Sequence, residues 1–425
     1  MGILSYGVVL VITSYFIYDV YCVPEKTVLE NAGIDFLEII NEFIAIANIF
    51  NGGNEAPVSE DGDLNITQLL YKYDYGAQEH HVVTEDGYIL KMIRIPNKGP
   101  AVFLMHGLLL SADDWLTAGY KDSLAYQLAS AGYDVWMGNA RGNKYSRKHV
   151  GMSPKSPQFW EFSWDEIGRY DLPAMIDYVL KTTKEENLMY IGHSQGTTAF
   201  FVMCSEKPIY NKKISLMIAL SPIAWMSRAK SPLVRMAAPF NNYHLVLTQV
   251  FHIYEILPRP IGTYFSETPF CKIGNGLVCI TILFIVCGFD YEQFNQVNIP
   301  AIFEHSPSGA SIYQFVHYLQ NMMSASFRKF DYGNIRKNLE IYGSPEPPRY
   351  LVERVTVPTA LFYSGNDWVC NVEDVKVLEN MLPNVIESYR VPFNKFNHVD
   401  FLWARNVKEL INDKILMLLS STSNY

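Results

Sequence analysis

The pentapeptide Gly192-His193-Ser194-Gln195-Gly196 constrains this chain more than any other stretch, because of what lies on either side of it. Residues Asn187 to Ile191 form a short apolar run that reads as a buried strand, and Thr197 to Met203 read as the start of a helix with an apolar body. Small residues cluster in many loops, so G-x-S-x-G alone is a weak signal; strand before and helix after make it the pattern of a nucleophile elbow. At such an elbow the chain turns sharply and holds the serine in a strained conformation, with its hydroxyl at the top of a sheet. The flanking glycines are needed where strand and helix backbones pass too closely for a Cβ.

The rest of the chain alternates accordingly. His80 to Ile95 reads as a hairpin turning at Glu85-Asp86-Gly87, Pro100 to His106 and Tyr133 to Met137 as strands, Tyr170 to Leu180 as a helix, and Leu216 to Leu220 as a further strand. Strands alternating with helices predict an α/β fold with a mostly parallel, doubly wound sheet. From Pro222 the rhythm breaks into a helical, apolar, proline-interrupted segment, and the sheet resumes at Val357 to Tyr363. The expected organisation is a core of residues 64–222 and 355–425 with a helical cap, 223–354, inserted before the last of these strands. The most hydrophobic part of the cap, Leu277 to Phe289, is about 13 residues long, too short to span a membrane, and reads as a buried or interface-facing helix.

The N-terminus has a different character. Met1 to Tyr18 carries no charged side chain, Gly7 to Ile12 form an apolar centre, and Val20 and Cys22 supply the small residues of a cleavage site, so residues 1–22 read as a secretory signal peptide. A retained signal anchor is the alternative, since eighteen uncharged residues is the lower limit for a span. Residues 23–63 comprise an amphipathic helix over Ile34 to Phe50 and a linker rich in Gly, Asn and acidic residues. Asn65-Ile66-Thr67 is the one N-x-S/T sequon, and behind a signal peptide it becomes a glycosylation site. Of 425 residues 49% are hydrophobic and 18% charged, enough to bury a sizeable core. The net charge of −9, with Lys and Arg scattered, argues against nucleic acid as a partner. There is no C-x-x-C pair, no internal repeat and no low-complexity tract, and no metal site is expected.

A serine hydroxyl becomes a nucleophile when a base takes its proton and an acid holds that base. The last third of the chain supplies both: Asp367 in the loop after the Thr359 to Tyr363 strand, and His398 before the C-terminal helix. The chain order Ser, Asp, His is that of the α/β-hydrolases. Asp400 stands too near His398 in sequence to orient it from below, and Asp374 is a second reserve. The backbone N–H groups of Gln195, next after the serine, and of Leu108, in the loop after the His106-Gly107 strand end, are the candidate oxyanion donors. His106 and His193 read as structural.

At these residues the chain resembles a known family, the acid lipases, which include gastric lipase, lysosomal acid lipase and insect digestive lipases. The stretches that carry the resemblance are Thr84 to Leu90, His106 to Trp115, Gly138 to Asn143, Phe159 to Trp164, Gly192 to Thr197, Cys287 to Asp290, His305 to Ser311 and Asn397 to Phe401. It spans residues 66 to 415. The resemblance implies a triad at Ser194, Asp367 and His398, an oxyanion hole at Leu108 and Gln195, and hydrolysis of neutral lipids without metal or organic cofactor. It also implies a disulfide between Cys271 and Cys279, with Cys287 unpaired. Residues 23–63 and Ala140 depart from the family pattern. Two other readings remain open: a non-catalytic lipid carrier on the same fold, against which the intact triad stands, and a short-chain esterase or peptidase, against which the apolar cap stands. Serine rather than aspartate at position 194 argues against an epoxide hydrolase. The expected setting is the extracellular space or the lysosomal lumen, with neutral lipid at a lipid–water interface as the substrate and no obligate protein partner.

Overall fold

The computed structural model describes residues 60–240, 250, 252–258 and 277–422. The expected signal peptide and Ile34–Phe50 helix, and Cys271, lie outside these residues. The strands are β1 (Gln78–Val83), β2 (Tyr88–Ile95), β3 (Ala101–Met105), β4 (Asp134–Met137), β5 (Lys148–His149), β6 (Leu188–His193), β7 (Ile214–Leu220), β8 (Glu255–Ile256), β9 (Ala310–Ser311), β10 (Thr359–Tyr363) and β11 (Val385–Arg390). Nine of them form one sheet in the order β1-β2-β4-β3-β6-β7-β10-β11, with β5 paired to β2 off this path. β1, β2 and β5 pair antiparallel, and every pair from β4 to β11 is parallel.

The burial of each strand follows from its place in that order. β3, β4, β6 and β10 are buried at every residue, as the continuous apolar runs demand of parallel strands covered on both faces. At the edge, β11 alternates half-buried and exposed residues, which is why Val385 to Arg390 is not an apolar run. Two large apolar clusters lie on the two faces of the sheet. One contains Phe103, Trp136, Tyr190, Phe200 and Phe201, and the other Leu104, Ile191, Ile218, Phe362 and Phe396. The helices that supply them include Leu172–Thr183 and Gln195–Glu206 on the first face and Asp413–Thr422 on the second.

Between β7 and β10 the chain leaves the sheet for the helices Pro232–Ala237, Leu277–Cys287, Ile299–His305, Ile312–Ser324 and Ile335–Tyr342. Part of this segment packs Ile280, Phe284, Phe289 and Ile299 against Trp368, in the loop after β10. Part of it docks on the helix Gln195–Glu206: Tyr318 is buried and donates its hydroxyl proton to Thr198 Oγ1 at 2.9 Å. A third part stays in water, with Leu233, Met236, Phe240, Val250 and Ile253 all exposed. No helix among the described residues is long and apolar enough to cross a membrane.

The backbones pack closely where β6 meets the helix that follows it. A Cβ on Gly196 would stand 2.3 Å from the carbonyl oxygen of Met105, and one on Gly192 would stand 2.8 Å from the carbonyl carbon of Gly196. Backbone, not a yielding side chain, is the obstacle in both cases. Gly196→Ala is therefore expected to destabilise the fold by about 1–3 kcal/mol, the usual range for overpacking. Gly151→Ala, at a site with nothing within 4 Å, should leave the thermal midpoint unchanged. Equal melting temperatures for both variants in a thermal unfolding scan would contradict this account of the elbow.

Candidate active site

Ser194 sits where β6 meets the helix Gln195–Glu206, with φ 52° and ψ −116°, a region that non-glycine residues rarely enter. Its N–H donates to Leu220 O at 3.0 Å, which ties the turn to β7. Its Oγ lies 2.8 Å from His398 Nε2. The Nδ1 of His398 lies 2.9 Å from Asp367 Oδ2 and 3.1 Å from Oδ1. A carboxylate can only accept, so Nδ1 carries the proton and Nε2 is left to accept from the serine hydroxyl. This is the tautomer a general base requires. The loop after β10 holds Asp367 in turn, because its Oδ1 accepts from Val369 N at 2.9 Å and Cys370 N at 2.7 Å. All three side chains are buried, with 6% of Ser194, 2% of Asp367 and 7% of His398 exposed.

The two reserve acids are engaged elsewhere. Asp400 accepts the Asn397 N–H at 2.6 Å, within its own loop. Asp374 accepts from Ser227 Oγ at 3.0 Å and Arg228 N at 2.8 Å. Leu108 and Gln195 lie beside the nucleophile: Gln195 opens the helix after it, and a Cβ on Gly107 would stand 3.1 Å from Ser194 Cβ. As the first residue of a helix, Gln195 presents an N–H that has no intrahelical partner. The Leu108 loop is braced from the cap. Leu109 takes a left-handed φ of 65°, and its carbonyl accepts from Ser308 N at 2.7 Å.

The two neighbouring histidines hold the scaffold. His106 Nδ1 donates to Gly107 O at 2.8 Å and its Nε2 accepts from Ala140 N at 3.1 Å, so it is neutral, and burial depresses its pKa to about 4. His193 Nε2 donates to the His398 carbonyl at 2.9 Å, joining the elbow to the loop that carries the base. Burial, then the nearby His398, depress the His193 pKa to about 3. Cys204, Cys287 and Cys370 are free and buried. Cys279 is disulfide-bonded, while its expected partner, Cys271, is outside the described residues.

Two features of the site escaped the reading of the sequence. The first is Ser221, immediately after β7: its Oγ is 2.6 Å from Asp367 Oδ2 and 2.7 Å from His398 Nδ1. The second is a strap formed by the end of the Leu277–Cys287 helix. The Cys287 carbonyl accepts from both Trp368 N, at 3.1 Å, and His398 N, at 3.3 Å. The Gly288 carbonyl accepts from Asn397 Nδ2 at 3.0 Å, and that of Phe289 from Asn366 Nδ2 at 2.8 Å. Three consecutive carbonyls thus bind the acid loop to the base loop. Gly288 has φ +107°, and a Cβ there would stand 2.1 Å from Asn366 O. The stretch Cys287 to Asp290 was visible as a motif, but nothing in it announced this role.

Asp290 ends the strap, and its Oδ1 caps the turn by accepting from Glu292 N and Gln293 N, both at 3.1 Å. Burial raises its pKa to about 6. Burial, and then the charge of Asp290, raise that of Asp400 well above the ordinary carboxylate range. The two carboxyls face each other next to the base loop.

A mostly parallel sheet with Ser194 on its central elbow, and with Asp367 and His398 on the loops after its later strands, defines an α/β-hydrolase fold. Comparison with known sequences agrees: residues 66–119 match the family model for a partial alpha/beta-hydrolase lipase region, and residues 100–243 match that for the alpha/beta hydrolase fold. The chain is 42% identical to Lipase 1 of Drosophila melanogaster over 85% of its own length and 81% of that protein's. It is 38% identical to human gastric triacylglycerol lipase, covering 86% of this chain and 94% of the other. It is 35% identical to human lysosomal acid lipase/cholesteryl ester hydrolase, with coverage of 87% and 94%. The chain belongs to this acid lipase family.

The carboxyl pair has a testable consequence. A group whose pKa is higher in the fold than in the unfolded chain contributes most at low pH, and that contribution is lost as pH rises through the folded value. For Asp290 the window runs from about pH 4 to about pH 6. Asp290→Asn removes the ionisation, so the melting temperature of the variant minus that of the wild type should increase from about pH 4 to about pH 7. A difference that stays flat over this range in paired thermal scans would show that the pair does not titrate as described.

Proposed function

We propose that this chain is a serine lipase that hydrolyses the ester bonds of neutral lipids through an acyl-enzyme. Triacylglycerols and cholesteryl esters are the substrate classes in its relatives' names. The observation that carries the reading is the unbroken chain of contacts from Ser194 Oγ through His398 to Asp367. In the first half-reaction Ser194 Oγ attacks the ester carbonyl carbon while His398 Nε2 takes the hydroxyl proton. The oxyanion lies between the N–H groups of Leu108 and Gln195, which are fixed before charge develops and need no reorganisation. Collapse of the tetrahedral intermediate expels the alcohol, which receives its proton from His398. Water, deprotonated by the same nitrogen, then attacks the acyl carbon; the fatty acid leaves as the bond to Ser194 Oγ breaks and His398 returns the proton to that oxygen. Asp367 stays ionised throughout and holds the imidazolium in place.

The exposed Leu233, Met236, Phe240, Val250 and Ile253 give the cap a surface that a lipid–water interface accepts more readily than water does. With Ser194 and His398 buried, part of the cap must move for a long acyl chain to enter, and contact with lipid offsets the exposure this causes. The setting that fits is extracellular or lysosomal, behind a signal peptide at residues 1–22. Asn65 is exposed there and available for a glycan: its Oδ1 caps the helix Ile66–Lys72, and the amide nitrogen takes no part in that cap. A Cys271–Cys279 disulfide completes the reading.

Ser194→Ala should lower kcat on the order of 10⁴-fold or more, with melting temperature retained and labelling by a serine-reactive phosphonate abolished. Turnover at the wild-type rate in that variant would sink the triad. Activity on esters of two to eighteen acyl carbons, below and above their solubility limits, tests the substrate class. Each buried methylene contributes about 0.8 kcal/mol, so rates should rise with chain length and again when an interface forms. A sharp preference for acetate esters with no interfacial gain would make the chain a small-ester hydrolase instead.

A further inference from the structure

We infer that Ser221 is a positioning residue for the reaction, a fourth member of the hydrogen-bonded unit that connects nucleophile, base and acid. The inference rests on the triad assigned above. Ser221 is fully buried, and its φ of 51° places it in the left-handed region. It precedes Pro222, which further narrows the conformations open to it. A buried non-glycine residue held in that conformation is retained where the surroundings over-determine it, as they do at functional sites.

The surroundings here are the three triad-bearing elements. The carbonyl of Leu220, one residue before, accepts the N–H of Ser194 at 3.0 Å, and the N–H of Ser221 itself donates to Phe362 O at 2.8 Å, on the strand that leads to Asp367. The backbone at Ser221 is therefore fixed between the nucleophile's turn and the acid's strand. From that point its side chain reaches both other members. The hydroxyl donates to the Asp367 carboxylate, at 2.6 Å from Oδ2. Its oxygen then turns a lone pair toward His398 Nδ1, 2.7 Å away. The Nδ1 proton thus has two acceptors, a carboxylate oxygen and a hydroxyl oxygen already polarised by that carboxylate.

This arrangement acts in the step where His398 carries two protons. While the imidazolium exists, both acceptors hold its Nδ1–H, so the ring cannot rotate away from Ser194 Oγ or from the leaving alcohol. The donated hydroxyl bond also keeps the Asp367 carboxyl from turning about its own axis, because Oδ2 is held by Ser221 while Oδ1 is held by the Val369 and Cys370 amides. Ser221 touches neither substrate nor the reacting carbon, so its effect falls on the rate of proton transfer and not on substrate binding.

The test separates the hydroxyl from the backbone. Ser221→Ala and Ser221→Gly both remove the hydroxyl, but glycine relieves the left-handed backbone and alanine does not. On a soluble ester, and with rates normalised to active sites titrated by phosphonate, both variants should lose about tenfold in kcat at unchanged KM, the size expected for one hydrogen bond to a charged group. Their melting temperatures should differ while their kcat values agree. Wild-type kcat in either variant would overturn the inference, as would a kcat that follows the melting temperature, recovered in glycine and lost in alanine. Ser194→Ala, run alongside, keeps the two readings apart: activity surviving there removes the triad itself, whereas a dead Ser194→Ala beside a fully active Ser221→Ala removes only the role of Ser221.

Discussion

Everything at this site depends on the backbone at Ser194 being held where a serine does not go by itself. A left-handed non-glycine residue costs on the order of 1–3 kcal/mol and persists only when its neighbours leave it no alternative. The neighbours here are the crowded centre of the sheet: β6 lies between β3 and β7, Gly196 abuts the Met105 carbonyl, and Leu220 O captures the Ser194 N–H. Once that turn is fixed, the remaining parts follow from it. The hydroxyl stands clear of the sheet edge, the helix that begins at Gln195 aims its first free N–H at the same space, and His193 is placed to grip the His398 carbonyl.

The segment between β7 and β10 is a structural part of this site. Its strap at Cys287 to Phe289 supplies carbonyls to both the acid loop and the base loop. Lys230 N and Ser231 N both donate to the Trp368 carbonyl, at 2.7 Å and 2.9 Å. On the other side, buried Asp113 accepts from Lys144, from Tyr145 and from His305, and Asp114 accepts from Ser306. The cap is therefore tethered at residues 230–231, 287–290 and 305–308, close to the triad and the oxyanion loop. The exposed apolar residues Leu233, Met236, Phe240, Val250 and Ile253 lie between the first two of these tethers.

What could be read from the sequence is what local pattern encodes. The elbow, the buried strands and the order of serine, aspartate and histidine each leave a run or a spacing, and the structure brings those three side chains together. The edge strand β11 left no apolar run because only one of its sides is covered. Ser221 left no trace because a serine between a strand and a proline has many explanations, and its meaning comes from Asp367 and His398, 146 and 177 residues away. The strap was invisible for a related reason: its bonds are made by backbone carbonyls, which every residue possesses. The pairing of Asp290 with Asp400 needed the cap and the base loop in one place.

The buried titratable groups make the stability of the fold depend on pH in two opposing ways. His106, His193 and His317 are buried, and burial lowers their pKa values to about 4, 3 and 4. Each costs the fold stability as pH falls below the ordinary histidine value, since the unfolded chain takes up protons that the fold refuses. Burial also raises Asp290 to about 6, burial and the charge of Asp165 raise Glu166 to about 7, and Asp400 is raised with them. Each of these costs stability as pH rises above the ordinary carboxylate value, since the fold keeps protons that the unfolded chain releases. The two sets slope in opposite directions over the same range, about pH 4 to 6.5, and offset each other. Within that range burial holds these groups largely uncharged in the native core.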